Sequence, residues 1–172
     1  LIIAFLFLNT ININNKNFIF GNVEAIKVIG LDHHLNKSIK ENLKYLNQKE
    51  ILSIDKEELS KKISSYNYIE NFKVSKLYPD NLIFTFKQTT FLASTLKQNK
   101  KYLIGSNAKL IDYDIFSNNS DLPMIYGNFK PEDFILLKNE IKKSPLEFNK
   151  IKNFFFYPSL RWDIQNDNNI TI

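Results

Sequence analysis

Arg161 and Trp162 are the chain's only arginine and its only tryptophan, and they stand side by side, followed by Asp163 and Ile164. The other members of the 23 basic residues are lysines, so a lone arginine points to a task that lysine performs poorly. A planar guanidinium binds a carboxylate through two parallel hydrogen bonds, or stacks on an aromatic face. Two readings are open for Arg161: a contact with a partner's carboxylate, or an ion pair inside the chain. Trp162 is expected in a core. The remaining reactive side chains make poorer constellations. His33 and His34 are adjacent, so they point apart on a strand or a helix, and no cysteine or acidic cluster at ligand spacing accompanies them. They read as a polar loop capping a helix. Asp55, Glu57 and Glu58 are acids of the kind that favour a helix N-terminus, where they meet the positive end of the macrodipole. The four glycines stand far apart, without a phosphate loop, and there is no nucleophile elbow. The chain is expected to be non-enzymatic, with no catalytic residue, no cofactor and no metal.

The elements that position these residues are legible as periodicities. Residues 71–87 read as a β-hairpin. Phe72 and Val74 alternate with Lys73 and Ser75 on the way in, and Leu82, Phe84 and Phe86 alternate with Thr85 and Lys87 on the way out. Tyr78-Pro79-Asp80-Asn81 between the arms has turn chemistry. Before it, residues 23–30 predict a strand with Ile26 and Val28 on one face, ended by Gly30. Residues 37–46 predict a helix capped by Asn36 or Asp32, with Ile39, Leu43 and Leu46 as its apolar stripe. Asp55 at the N-cap and Glu58 three residues on predict a capping box. It opens a second helix with a Leu59, Ile63 and Tyr66 stripe. The order is strand, helix, helix, strand, strand, with both helices on one face of a three-stranded sheet.

Beyond Thr90 the pattern changes to short strands. Residues 91–96, 101–104 and 109–111 are expected strands, with turns at Gln98-Asn99 and Ser106-Asn107. Residues 117–121 form a polar loop, and 122–127 a short extended piece. Pro131 opens a helix bearing Phe134, Leu137 and Ile141, which Ser144-Pro145 ends. Residues 151–157, 161–165 and 169–172 read as strands. The fold class is α+β: a β-α-α-β-β unit over residues 23–89, then a strand-rich unit with a helix over 90–172.

The chain has 172 residues, a net charge of +5 and no cysteine, so disulfide and thiolate-metal frameworks are excluded. The lysines are scattered and form no dense run, which reads as a solvated surface, and the aromatics do not interleave with a basic stripe. Both points weaken a nucleic-acid platform. Residues 1–8, LIIAFLFL, are wholly apolar. A spanning helix needs about 20 such residues, so three readings compete: the end of a truncated transmembrane helix, the end of a signal-peptide core, or a short buried strand. No small-residue cleavage pattern follows, which favours the truncated transmembrane helix, with residues 9–22 as a polar tether.

The order and spacing of several short motifs resemble the FtsQ family of bitopic cell-division proteins, called DivIB in Gram-positive bacteria. They are Val28-Ile29-Gly30 opening a POTRA-like unit, Leu77-Tyr78-Pro79-Asp80-Asn81-Leu82 at the hairpin, Leu122-Pro123-Met124-Ile125-Tyr126-Gly127, and Arg161-Trp162-Asp163-Ile164. The chain departs from the family pattern at residues 87–93, where the acid and the proline of the family's junction are replaced, and at Leu160-Arg161, where the family has an arginine doublet. The family also continues past this point with a helix and closing strands, and those strands pair with FtsB by β-augmentation. The resemblance implies a divisome scaffold held by one transmembrane helix in the bacterial inner membrane, with its bulk in the periplasm at the septum. FtsB and FtsL are the implied partners, with FtsK, FtsW and the septal transpeptidase nearby, and neither nucleic acid nor a small-molecule substrate is implied. Arg161, Tyr157, Tyr78 and Asp80 are the residues expected to touch partners, and the strand from Phe72 to Leu77 is a further candidate for contacts on the POTRA side. The alternative reading is a POTRA module of an outer-membrane assembly or secretion protein, and a basic nucleic-acid-binding domain is the third.

Overall fold

Leu82, Phe84 and Phe86 are buried on one face of the strand that the rest of the first unit is built around. The computed structural model describes residues 21–116 and 121–172. The expected membrane-helix end, residues 9–20 of the tether and most of the polar loop at 117–121 lie outside the described residues. No described helix is long and apolar enough to cross a membrane.

The first sheet holds β1 (Ala25–Ile29), β2 (Ile69–Leu77) and β3 (Asn81–Gln88) in the order β1-β3-β2. The hairpin pairs β2 with β3 antiparallel, Val74 opposite Phe84 and Leu77 opposite Asn81. β1 returns parallel to β3, with Ile26 beside Leu82. A parallel return needs a long crossover, and the two helices, α1 (His33–Leu43) and α2 (Lys56–Ile63), supply it. Their buried residues are Leu35, Ile39 and Leu43 on α1 and Leu59 and Ile63 on α2. They pack with Leu46, Ile51 and Phe84 into one core.

The start of α1 corrects the expected boundary. The helix begins at His33, not at residue 37, and Asp32 is the N-cap residue without a side-chain cap bond. Asn36 holds the first turn in another way: its side-chain amide donates to the Leu31 carbonyl at 2.6 Å, and its oxygen accepts from the Leu31 N–H at 3.3 Å. Both histidines therefore sit in the first helical turn, exposed, and not in a loop. Gly30 turns the chain into this helix at φ +103, and a Cβ there would lie 2.0 Å from the Phe86 carbonyl oxygen. Only glycine fits such a position. Asp55 is the N-cap as expected, but the capping box with Glu58 does not close. Asp55 accepts from the Glu57 N–H at 2.8 Å, while the Glu58 carboxylate reaches out to the Lys49 ammonium at 3.8 Å.

The second sheet has six strands in the order β6-β5-β4-β7-β8-β9. These are β4 (Phe91–Lys97), β5 (Lys100–Gly105), β6 (Leu110–Asp112), β7 (Met124–Tyr126), β8 (Ile151–Phe156) and β9 (Trp162–Asn166). Gln98 and Asn99 make the β4–β5 turn with φ of 51 and 61, as a tight hairpin requires. β7 lies parallel to both β4 and β8. α3 (Pro131–Ile141) buries Phe134 and Ile141 in a second core with Ala93, Ile104, Ile125 and Phe154. Residues 169–172, expected as a strand, form a bridge at Thr171 alongside β9. Ile164 and Ile172 exchange two backbone hydrogen bonds of 2.9 Å, so the outer edge of β9 is partly paired.

The two sheets meet without a slack linker. Leu103 and Ile111 of the second sheet are buried in the core of the first. Thr89 Oγ1 and Ser106 Oγ lie 3.0 Å apart. Asn107 donates its side-chain amide to the carbonyls of Asn67 at 2.9 Å and Ile69 at 3.2 Å. Asn67 in turn donates to the Leu110 carbonyl at 2.9 Å. Gly105 makes this approach feasible, because a Cβ there would fall 2.4 Å from Asn107 Oδ1 and 2.8 Å from Thr89 Oγ1.

Candidate partner-binding sites

Arg161 and Tyr157 come together at the turn joining β8 and β9. The Tyr157 N–H donates to the Arg161 carbonyl at 3.0 Å, and the Leu160 N–H to the Tyr157 carbonyl at 2.9 Å. Leu160 takes φ 64 at the tip and is 78% exposed. The Arg161 guanidinium lies 4.9 Å from the Tyr157 ring centroid, within cation–π range. It also makes a two-pronged contact with Asp163, Nε to Oδ1 at 2.9 Å and Nη2 to Oδ2 at 3.2 Å. The internal ion pair is thus formed, and a partner's carboxylate would share the fork with Asp163. The spacing carries the signal for this pairing, since residues two apart on a strand share a face. Trp162 points the other way, into the second core, with its ring 4.8 Å from Phe156 and 5.7 Å from Phe129.

The same face of the sheet continues outward from the ion pair. Asp163 is opposite Phe155, which is beside Tyr126, and the Tyr126 and Phe155 rings stack at 5.2 Å and 13°. An aromatic strip of exposed Tyr126 and half-buried Phe155 therefore borders the Arg161–Asp163 pair.

Tyr78 and Asp80 belong to the first sheet and serve its turn. The Tyr78–Pro79 bond is cis. Asp80 is occupied structurally: its carbonyl accepts from the Glu24 N–H at 2.9 Å, and its carboxylate accepts from the Asn81 side-chain amide. Tyr78 is exposed.

A further surface was not anticipated as a groove. β2 is an edge strand, and between it and α2 lies a cavity of 370 Å³ lined by Lys56, Ser60, Phe72, Lys73 and Val74. An edge strand presents unpaired backbone donors and acceptors, and here two lysines flank an apolar floor. Among the described residues no group of three or more His, Cys, Asp or Glu side chains is placed to hold a metal ion. The one phenol pushed far from its usual range is Tyr68, raised to about 12 by burial and then by Tyr66.

Residues 21–85 match the family model of the POTRA domain, FtsQ-type. The match ends within β3 and spans the whole β-α-α-β order. The N-terminal unit over these residues is a POTRA domain of the FtsQ type. No curated protein matches the chain. The POTRA domain is a division-related protein–protein interaction module, and both helices, both flanking strands and the α2–β2 groove lie within the matched residues.

Proposed function

We propose that this protein is a non-enzymatic divisome scaffold, which recruits and links cell-division proteins at the septum through periplasmic contacts. The observation that carries the reading is the FtsQ-type POTRA match over residues 21–85. A bitopic arrangement follows from the apolar residues 1–8, with the bulk of the chain in the periplasm. FtsB and FtsL are the direct partners, and FtsK, FtsW and the septal transpeptidase are neighbours in the same assembly.

Two surfaces support this reading. The β2 edge beside the α2 groove offers backbone pairing to an extended segment, with Phe72 and Val74 as an apolar floor. Lys56 and Lys73 would favour acidic residues in that segment. The Tyr157–Arg161–Asp163 turn offers a planar cation and an aromatic face. No observation favours turnover of a substrate at either place. The proposal is tested by measuring the affinity of the periplasmic segments of FtsB and FtsL for the full chain. Measurable binding of at least one, weakened about tenfold or more by the double charge reversal Lys56→Glu and Lys73→Glu, supports the groove. Binding that is unchanged by the reversal removes the groove from the account, and absence of binding by both segments removes the assigned partners.

A further inference from the structure

The first described residue enters the fold at one end of the POTRA sheet, and the exposed apolar side chains at that end are gathered around it. The Gly21 N–H donates to the Pro79 carbonyl at 3.3 Å, and the Gly21 carbonyl accepts from the Ile51 N–H at 3.3 Å. Asn22 bridges to Glu50. This ties the entering chain to the β2–β3 turn on one side and to the 3-10 turn Ile51–Ser53 on the other. Leu77 is 57% exposed, Tyr78 44% and Leu52 46%. Lys76 Nζ reaches the Leu52 carbonyl at 3.5 Å, which joins the two apolar points.

The second sheet lies at the opposite end. β3 runs from Asn81 at the entry to Gln88 at the junction, and eight residues of strand span about 26 Å. Residues 9–20, between the apolar stretch 1–8 and Gly21, could extend at most about 40 Å. A surface at the head of this tether is therefore held close to wherever residues 1–8 reside.

We propose that Leu52, Leu77 and Tyr78 form a membrane-contact tip that lays the POTRA domain against the lipid surface. The proposal rests on the reading of residues 1–8 as the end of a membrane helix. Leucine and tyrosine suit the boundary, where the apolar body meets acyl chains and the phenol stays with the headgroups. Charge at this end is mixed, with Lys49 and Lys76 near Glu24, Glu50 and Asp80, so the contact is apolar and does not depend on anionic lipid. The cationic and aromatic turn at Arg161 is left facing away from the bilayer, on the far unit, available to proteins.

The absence of cysteine makes the test direct. Leu77→Cys in the full chain is labelled with an environment-sensitive fluorophore and reconstituted in phosphatidylcholine vesicles, with Leu136→Cys on α3 as the exposed control. Flotation with the vesicles is measured first. A chain that does not float overturns both the anchor reading and this inference. In a chain that floats, quenching at position 77 by nitroxide-bearing phosphatidylcholine should exceed that at position 136 by at least about twofold. A label at Leu52→Cys should lose this quenching when Leu77→Ser and Tyr78→Ser are added. Equal quenching at 77 and 136 overturns the contact while leaving the anchor in place. Shielding of position 77 from aqueous iodide without lipid quenching would mean that a second copy of the chain covers the tip, and would also overturn it.

Discussion

Asn107 and Asn67 lock the two sheets together from opposite sides of the junction. Asn107 donates its side-chain amide to the Asn67 carbonyl at 2.9 Å, while the Asn67 side chain donates to the Leu110 carbonyl at 2.9 Å. The pair lies 40 residues apart in sequence and joins a helix–strand connection to a hairpin turn. With Leu103 and Ile111 buried in the first core, the arrangement carries the two sheets as one continuous packing unit.

Replacing Asn107 with Ala should lower stability by about 1–3 kcal/mol, because three hydrogen-bonded groups lose a partner in a part-buried site. Asn67→Ala should cost about 1 kcal/mol. In the double variant the losses should fall short of the sum, as expected for side chains in one network. Urea denaturation of the four proteins measures this, and strict additivity would contradict a shared network.

Tyr68 supplies a pH dependence. Its ring packs 5.7 Å from Phe116 and 5.8 Å from Tyr66, and burial raises its pKa to about 12. The unfolded phenol ionises near pH 10. Between those values the unfolded state has released the proton and the folded state still holds it, so this contribution is intact below about pH 10 and is lost as pH rises towards 12. Thermal unfolding followed from pH 9 to 12 should show a steeper alkaline decline in the native chain than in Tyr68→Phe. Matching slopes would remove Tyr68 as the cause.

Arg161 separates two roles by a pair of substitutions. Its side chain is 66% exposed, so Arg161→Ala should change stability by less than about 1 kcal/mol. If the guanidinium receives a carboxylate from FtsB, that substitution weakens binding of the FtsB periplasmic segment. Asp163→Asn, which frees the fork, strengthens it. Isothermal titration of both variants measures this. Affinity that moves in neither variant would leave Arg161 as an internal ion pair alone.

Much of the first unit was legible because its signals are local. Leu82, Phe84 and Phe86 alternate along one strand, Ile39 and Leu43 repeat along one helix, and Asp55 caps the next. The start of α1 differs from the sequence expectation because two adjacent histidines resemble a loop, whereas the Asn36 bonds to Leu31 hold a helical turn that already includes them. The parallel pairings of β1 with β3 and of β7 with β4 and β8 were invisible, since parallel partners are chosen by packing between distant segments. The junction was hidden for the same reason, as Asn67 and Asn107 look like ordinary turn residues until the fold brings them together. At the candidate site, the sequence leaves Arg161 between a partner contact and an internal ion pair, and the fold identifies Asp163 as the internal carboxylate. The α2–β2 groove was not, because it is a space between elements and has no residue pattern of its own.

The central claim is that this chain acts at the division septum as a scaffold. The most direct measurement is the cellular distribution of the protein, fused at its N-terminal end to a fluorescent protein and expressed in dividing bacteria that assemble FtsB and FtsL. The account predicts a band at mid-cell that appears with constriction and disappears when those partners are depleted. An even distribution around the envelope, or in the cytoplasm, would contradict it.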